Sequence, residues 1–398
     1  MKNSAILSLF ATGLTAAATL AGDDAPPTFG QRVQLRGSLT NSRLQFEHKQ
    51  SGRVAFMGGS ITEMDGFRPM VCESLKKRFP VTDFTFVNAG IASTGSSTGA
   101  FRLASDVLAP APPDLLFVEF AVNDDQDAAH TRVECIRGLE GIVRHARRAN
   151  PNMDIVVTFF VNEGMLKTLQ DGGTPLTIDA HETVAKHYAV SKIDLAAEVA
   201  GEISAGKLTW QQYGGVHPAP FGNAICARMI DELLDRAWAA ALPEDAAPVA
   251  REIPPPLDPL NYEAGRLIDP KLAQSRSGWT LGVPDWKSLP GDKRTRFTSI
   301  PMLTATEPGA EATLDFAGTA IGSYIVAGPD AGIAEASIDG GPFQSVNLFH
   351  HFSKGLHYPR TVMLCTDLAA GKHTLTLRIS ADTKSVGHAM RIMQFTAN

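Results

Sequence analysis

Between residues 53 and 242, five short apolar runs alternate with longer amphipathic stretches, and this alternation leaves the chain very few folds to adopt. The runs lie at 54–57, 84–88, 115–121, 155–161 and 190–194. Apolar through most of their length, they suit strands buried on both faces. Helical patterns fall between them, the clearest at 132–148, where Val133, Ile136, Leu139, Ile142, Val143 and Ala146 make one apolar face. A last helix is expected at 221–240. Strand and helix in repetition predict an α/β unit, a parallel sheet covered on both sides.

Beyond residue 242 the texture changes. The stretch "LPEDAAPVAREIPPPLDP", 243–260, is rich in proline and charge and reads as an extended linker. From 261 to 398, short alternating segments are separated by Gly, Pro and Asp turns, among them an Asp-Gly-Gly at 339–341 that suits a hairpin. An all-β sandwich of jelly-roll type is predicted there. Two domains, 51–242 and 261–398, also fit a chain of 398 residues, too long for one ordinary core.

The N-terminus opens with one lysine, an apolar stretch from 5 to about 14, and small residues up to Ala18 and Ala21. That order predicts a signal peptide over 1–21 and a secreted or periplasmic protein, with 22–50 as an N-terminal extension. No run approaches the roughly 20 apolar residues of a membrane span. A net charge of -6 without like-charge blocks argues against nucleic acid as a partner. Cys72, Cys135, Cys226 and Cys365 are scattered without CxxC spacing, so no thiolate metal site is expected; disulfides stay open. No His/Asp cluster has ligand spacing either, and no metal or cofactor is predicted.

Four polar features fall at strand ends or in a late loop. In "VAFMGGSITEMDG", two glycines break the first strand and Ser60 follows, at the sheet edge where open α/β folds hold their ligands. A Gly/Ser-rich loop follows Asn88 in "FVNAGIASTGSS", Asn123 ends "LLFVEFAVND", and His217 precedes the last helix in "YGGVHPAPFGN". Taken singly, Ser60 is a helix cap, Asn123 a turn former, Asp124 a helix N-terminal acid and His217 a packing residue. Taken together, they supply what acyl transfer needs. A serine hydroxyl attacks once an imidazole can take its proton, and the resulting oxyanion needs donors already in place. Histidine, with an ordinary pKa of about 6.5, makes both proton transfers near neutral pH.

The blocks "GGSIT", "NAGIASTGS", "AVND" and "GGVHP", in this order, resemble the four blocks of the SGNH (GDSL-type) hydrolase superfamily, over about half the chain. The resemblance implies a three-layer flavodoxin-like parallel sheet, with Ser60 as nucleophile and His217 as base. It also implies an oxyanion hole made by the backbone N–H groups of Ser60 and Ser93 and the side chain of Asn123. Ser93 stands where the family usually has glycine. Gly214 stands where it often has an aspartate, three residues before the histidine. Either a dyad operates, with a backbone carbonyl accepting the His217 Nδ1–H, or an acid comes from elsewhere. Asp194 is the candidate on topology, with Glu63 and Asp65 behind it, although a cap heading a helix over 195–203 explains Asp194 more simply.

Glu119, a carboxylate inside an apolar strand, is expected to be structural, holding the Asn123 loop or pairing with Arg68 or Arg102. Trp210, near His217, either walls a substrate cleft or packs. With a β-sandwich attached and a signal peptide ahead, the chain resembles bacterial carbohydrate esterases that deacetylate polysaccharides such as xylan or pectin. A broad short-chain esterase is the alternative. A rival is a silent glycan-binding protein, with Trp279 and Trp286 stacking on sugars; core packing or a domain interface is the stronger reading of both.

Overall fold

The computed structural model describes residues 29–398, so the signal peptide expected at 1–21 lies outside the described residues. Strands β1 (Val33–Gln34), β2 (Ser51–Gly58), β3 (Asp83–Gly90), β4 (Leu115–Glu119), β5 (Asp154–Thr158) and β6 (Ser191–Ile193) form one sheet in the order β1-β6-β5-β4-β2-β3. Pairings from β2 to β6 are parallel, and β1 adds antiparallel to β6. The five parallel strands follow the flavodoxin-like path, whose reversal falls between β2 and β4. β4, β5 and β6 are buried throughout, as their apolar runs require, while β3 lies at the edge with Phe84 and Phe86 only partly covered.

Three details depart from the sequence reading. The third run stops at Glu119, because Phe120 leaves the extended conformation and Ala121–Gln126 forms a helix. The described part of 22–50 is no mere extension: it supplies β1 and the helix Thr40–His48, whose Leu44 and Phe46 are buried. The segment 243–260 is extended, yet it is strapped to the α/β domain. Asn41 exchanges two hydrogen bonds with the Val249 backbone, and Arg251 pairs with Asp154. Farther along, Arg147 and Arg144 donate to the carbonyls of Glu252 and Pro254, and Glu140 accepts from Leu257 N and Asp258 N.

In the C-terminal half every pairing between strands is antiparallel. Its strands are β7 (Arg266–Ile268), β8 (Gln274–Ser277), β9 (Thr280–Gly282), β10 (Met302–Ala305), β11 (Glu311–Gly318), β12 (Ile321–Ala327), β13 (Ile333–Ile338), β14 (Gln344–Asn347), β15 (Tyr358–Cys365), β16 (Gly371–Ile379) and β17 (Met390–Ala397). One sheet runs β15-β12-β17-β10-β9, with β7 also on β17; the other runs β14-β13-β16-β11-β8. Ile325, Val362 and Phe395 from the first sheet meet Leu314, Ala334 and Leu375 from the second in one core. The expected hairpin is present: Asp339 and Gly340, both at positive φ, turn β13 into β14. Among the described residues no helix is long and apolar enough to cross a membrane. All four cysteines are free thiols.

Candidate active site

The crevice beyond β2 and β4 is where the strand order reverses, and the candidate residues gather there. Ser60 opens the four-residue helix Ser60–Glu63 directly after β2, so its N–H has no helical acceptor. His217 stands exposed in the loop before the helix Pro220–Ala237, with Nε2 2.8 Å from Ser60 Oγ. This is the only protein hydrogen bond of the His217 ring among the described residues.

Glycines let the blocks close on one another. A Cβ at Gly59 would lie 2.0 Å from Asn123 Oδ1, and one at Gly90 would lie 2.2 Å from Glu63 N. The side-chain amide of Asn123 thus lies against the turn that carries Ser60. Its Nδ2 donates to Asp127 Oδ2 at 2.7 Å, which leaves the second amide hydrogen free.

Ser93 adopts a φ of +71°, the left-handed region, which explains why glycine suits this position. Its neighbours are committed: Ala92 N donates to Glu63 Oε2 at 2.8 Å and Thr94 N to the Ile91 carbonyl at 3.3 Å. The Ser93 N–H makes no hydrogen bond among the described residues. The N–H groups of Ser60 and Ser93 and the second amide hydrogen of Asn123 therefore have no partner among the described residues, beside a serine already bonded to an imidazole.

Among the described residues no carboxylate bonds to the His217 ring. Asp194 caps the helix Leu195–Ser204 through Ala197 N at 3.1 Å and pairs with Lys192, so it does not serve His217. Glu63 is engaged by Ala92 and Arg296, and Asp65 by Arg68. At the usual acid position, Gly214 has a φ of +106° and ends the short helix Trp210–Tyr213. Among the described residues, the His217 ring is hydrogen-bonded to Ser60 alone.

Glu119 is structural, but its partners are not those expected. Its Oε1 accepts from Gly59 N at 2.9 Å, Thr62 N at 3.2 Å and Thr62 Oγ1 at 2.6 Å. It therefore anchors the Ser60 turn rather than the Asn123 loop, and neither Arg68 nor Arg102 pairs with it. Burial pushes its carboxyl up to about 7, against these bonds, which favour the charged form. Trp210 is half-buried and stacked on Tyr213 at 5.5 Å, facing the core as a packing residue. Trp279 is buried in the β-sandwich, and Trp286 packs in a cluster that includes Ile91 of the Ser93 loop.

Asp124, read from the sequence as a helix N-terminal acid, is a buried hub. It accepts from Ser96 N at 2.7 Å, Ser96 Oγ at 2.6 Å and His181 Nε2 at 2.9 Å, with His130 Nδ1 at 3.1 Å. Burial alone would raise its carboxyl; His130 and His181 overcome that and hold it well below the ordinary range. Asp124, Cys135 and His181 bring potential metal ligands within 4.8 Å of one another. The Asp124 oxygens already accept from Ser96 and His181, and these bonds lock the helix that carries Asn123. Sequence reasoning also missed Asp127, Arg294, Arg296 and Tyr358, which reach the oxyanion side from β15 and from the loop before β10 or stand next to Asn123.

Residues 56–225 match the GDSL-like Lipase/Acylhydrolase family. No curated protein matches the sequence. Among solved structures, the chain is similar to a two-domain esterase active on acetylated mannans, co-crystallised with mannopentaose, at 21% identity and a TM-score of 0.72 over 92% of this chain and 96% of that one. Another structure of a two-domain esterase active on acetylated mannans aligns at 22% identity with the same TM-score and coverage. An acetylxylan esterase from Geobacillus stearothermophilus aligns at 20% identity and a TM-score of 0.36, over 46% of this chain and 94% of that one. The first two likenesses show a shared two-domain fold.

Proposed function

As its α/β domain belongs to the GDSL-like lipase/acylhydrolase family, we propose that this chain is a serine esterase that removes acetyl groups from polysaccharides by a Ser60–His217 dyad. The observation that carries the reading is the 2.8 Å bond between Ser60 Oγ and His217 Nε2, beside the unpaired Ser93 N–H and the Asn123 amide. His217 Nε2 takes the hydroxyl proton as Ser60 Oγ bonds to the acyl carbon. The carbonyl oxygen gains the negative charge and accepts from the N–H groups of Ser60 and Ser93 and from Asn123 Nδ2. Collapse breaks the ester bond, and the sugar oxygen leaves with the proton returned by His217. Water, deprotonated by the same imidazole, then releases acetate from Ser60.

Likeness across both domains to an esterase active on acetylated mannans makes acetylated mannan the first polymer to offer, ahead of xylan and pectin. A signal-peptide-like N-terminus supports action outside the cytoplasm, where such polymers occur. The test is acetate release from acetylated mannan and from p-nitrophenyl acetate by wild type, Ser60→Ala and His217→Ala. Release that both substitutions abolish supports the reading, and cleavage of only the small ester points to a broad short-chain esterase. Activity surviving Ser60→Ala, or a wild type inert to both substrates and to a serine-directed fluorophosphonate, would leave the glycan-binding reading in its place.

A further inference from the structure

The oxyanion side of the crevice is held from the other domain. Asn123 Oδ1 is buried and has no donor among the described residues, so the bond from Nδ2 to Asp127 Oδ2 is what fixes the rotation of the amide. Asp127 is itself buried, and its other oxygen accepts from the hydroxyl of Tyr358, the first residue of β15. A chain of two hydrogen bonds therefore runs from the β-sandwich to the side-chain oxyanion donor.

The backbone donor is gripped independently. Arg294, in the loop before β10, donates from Nη2 to Ser93 Oγ at 2.8 Å and from Nη1 to the Ala92 carbonyl at 2.9 Å. Arg296 donates to the Gly90 carbonyl at 3.0 Å and pairs with Glu63, the residue that accepts from Ala92 N. Between these polar grips, Ile91 packs with Trp286, Phe297, Met302 and Tyr324 of the β-domain. Left-handed backbone disfavours any residue with a Cβ, but glycine would offer Arg294 no hydroxyl. The departure from glycine at 93 makes sense as a handle.

We propose that the β-domain completes the oxyanion hole: Tyr358, through Asp127, sets the Asn123 amide, and Arg294 holds Ser93 in its left-handed conformation. Tyr358 and Arg294 are positioning residues, and their role rests on the esterase reading given above. Displacing a catalytic donor by about 1 Å can cost up to roughly 10²-fold. Tyr358→Phe removes one hydroxyl while keeping the ring over which the Arg294 guanidinium lies, 5.9 Å from the centroid.

The experiment is steady-state hydrolysis of p-nitrophenyl acetate by the full chain, in two double-mutant cycles: Tyr358→Phe with Asn123→Ala, and Arg294→Gln with Ser93→Gly. The expected result is that Tyr358→Phe slows turnover about 10- to 100-fold at nearly constant KM, with no further loss when Asn123 is already alanine. The Arg294→Gln loss likewise shrinks when Ser93 is glycine. Losses that multiply independently, an unchanged kcat, or a change in KM alone would overturn the proposal. If wild type shows no Ser60-dependent turnover, the esterase reading fails and with it the catalytic role. Hydrogen exchange across 88–96 then judges the clamp alone: faster exchange in Arg294→Gln upholds it, and unchanged exchange overturns it.

Discussion

Gly214 lies so close beneath Ala219 that a Cβ on it would stand 2.0 Å from the Ala219 backbone nitrogen. Ala219 N is already bonded to the Tyr213 carbonyl at 2.8 Å, which closes the loop carrying His217. The missing aspartate is thus built into the backbone, and restoring it by substitution is expected to fail. Gly214→Asp should lose more than about 1 kcal/mol of stability from its φ of +106° alone, and kcat should fall as His217 shifts. Thermal melts and p-nitrophenyl acetate kinetics check this. A variant faster than wild type would mean that the loop can rebuild a triad.

Asp194 belongs to helix Leu195–Ser204 and not to the imidazole. Asp194→Ala should therefore cost about 1 kcal/mol of stability as a lost N-cap, while turnover stays within about twofold of wild type. Denaturant melts beside turnover separate the two effects. Turnover slowed by roughly 10²-fold or more, with the cap loss as expected, would return Asp194 to the mechanism.

Gly59 leaves no space between its own Cα and the Asn123 amide. Gly59→Ala forces that amide aside, and turnover should slow on the order of 10²-fold with KM little changed, the signature of a donor used only in the transition state. If KM rises while kcat holds, Asn123 binds the ground state instead.

The proton on Glu119 should be visible in stability. Its carboxyl, at about 7 in the folded chain against an ordinary 4.5, keeps a proton that the unfolded chain has released. Its contribution is therefore greatest below pH 4.5, declines as pH rises to about 7, and is level above that. Glu119→Gln keeps an acceptor at Oε1 and does not titrate. The melting-temperature difference, wild type minus variant, should fall across this window and then flatten. A constant difference from pH 4.5 to 7 would show that Glu119 is ionised throughout.

How much of this could be read from the chain depends on how far apart the partners lie. Ser60, Asn123 and His217 were legible because each follows a strand or precedes a helix in a short block whose residue types are local. Alternation predicted the parallel sheet, while its flavodoxin-like order was implied only by the family resemblance. Glu119 was recognisable as a carboxylate needing a partner, but Thr62, 57 residues away, meets it only across adjoining strand ends. Tyr358 and Asp127 are separated by 231 residues and Arg294 and Ser93 by 201, in different domains. Nothing in either local stretch marks them, because an arginine in a polar loop and a tyrosine opening a strand are ordinary there. Asp194 was ambiguous because a strand-end acid and a helix cap occupy the same place in such a fold, and the cap, the simpler reading, is the one present.

The strap between the domains bears on how chains of this kind could be recombined. Read along the sequence, 243–260 is the natural place to cut and rejoin. In the folded chain its backbone supplies N–H donors to the buried Glu140 and carbonyl acceptors to Arg144 and Arg147. A cut at 242 would take these partners away and leave the three charges only their bonds to Tyr188, a loss larger than that of a flexible tether. Any exchange of the β-domain for another module would have to carry the strap with the α/β domain. The seam at which the gene could be divided is therefore not the seam at which the molecule comes apart.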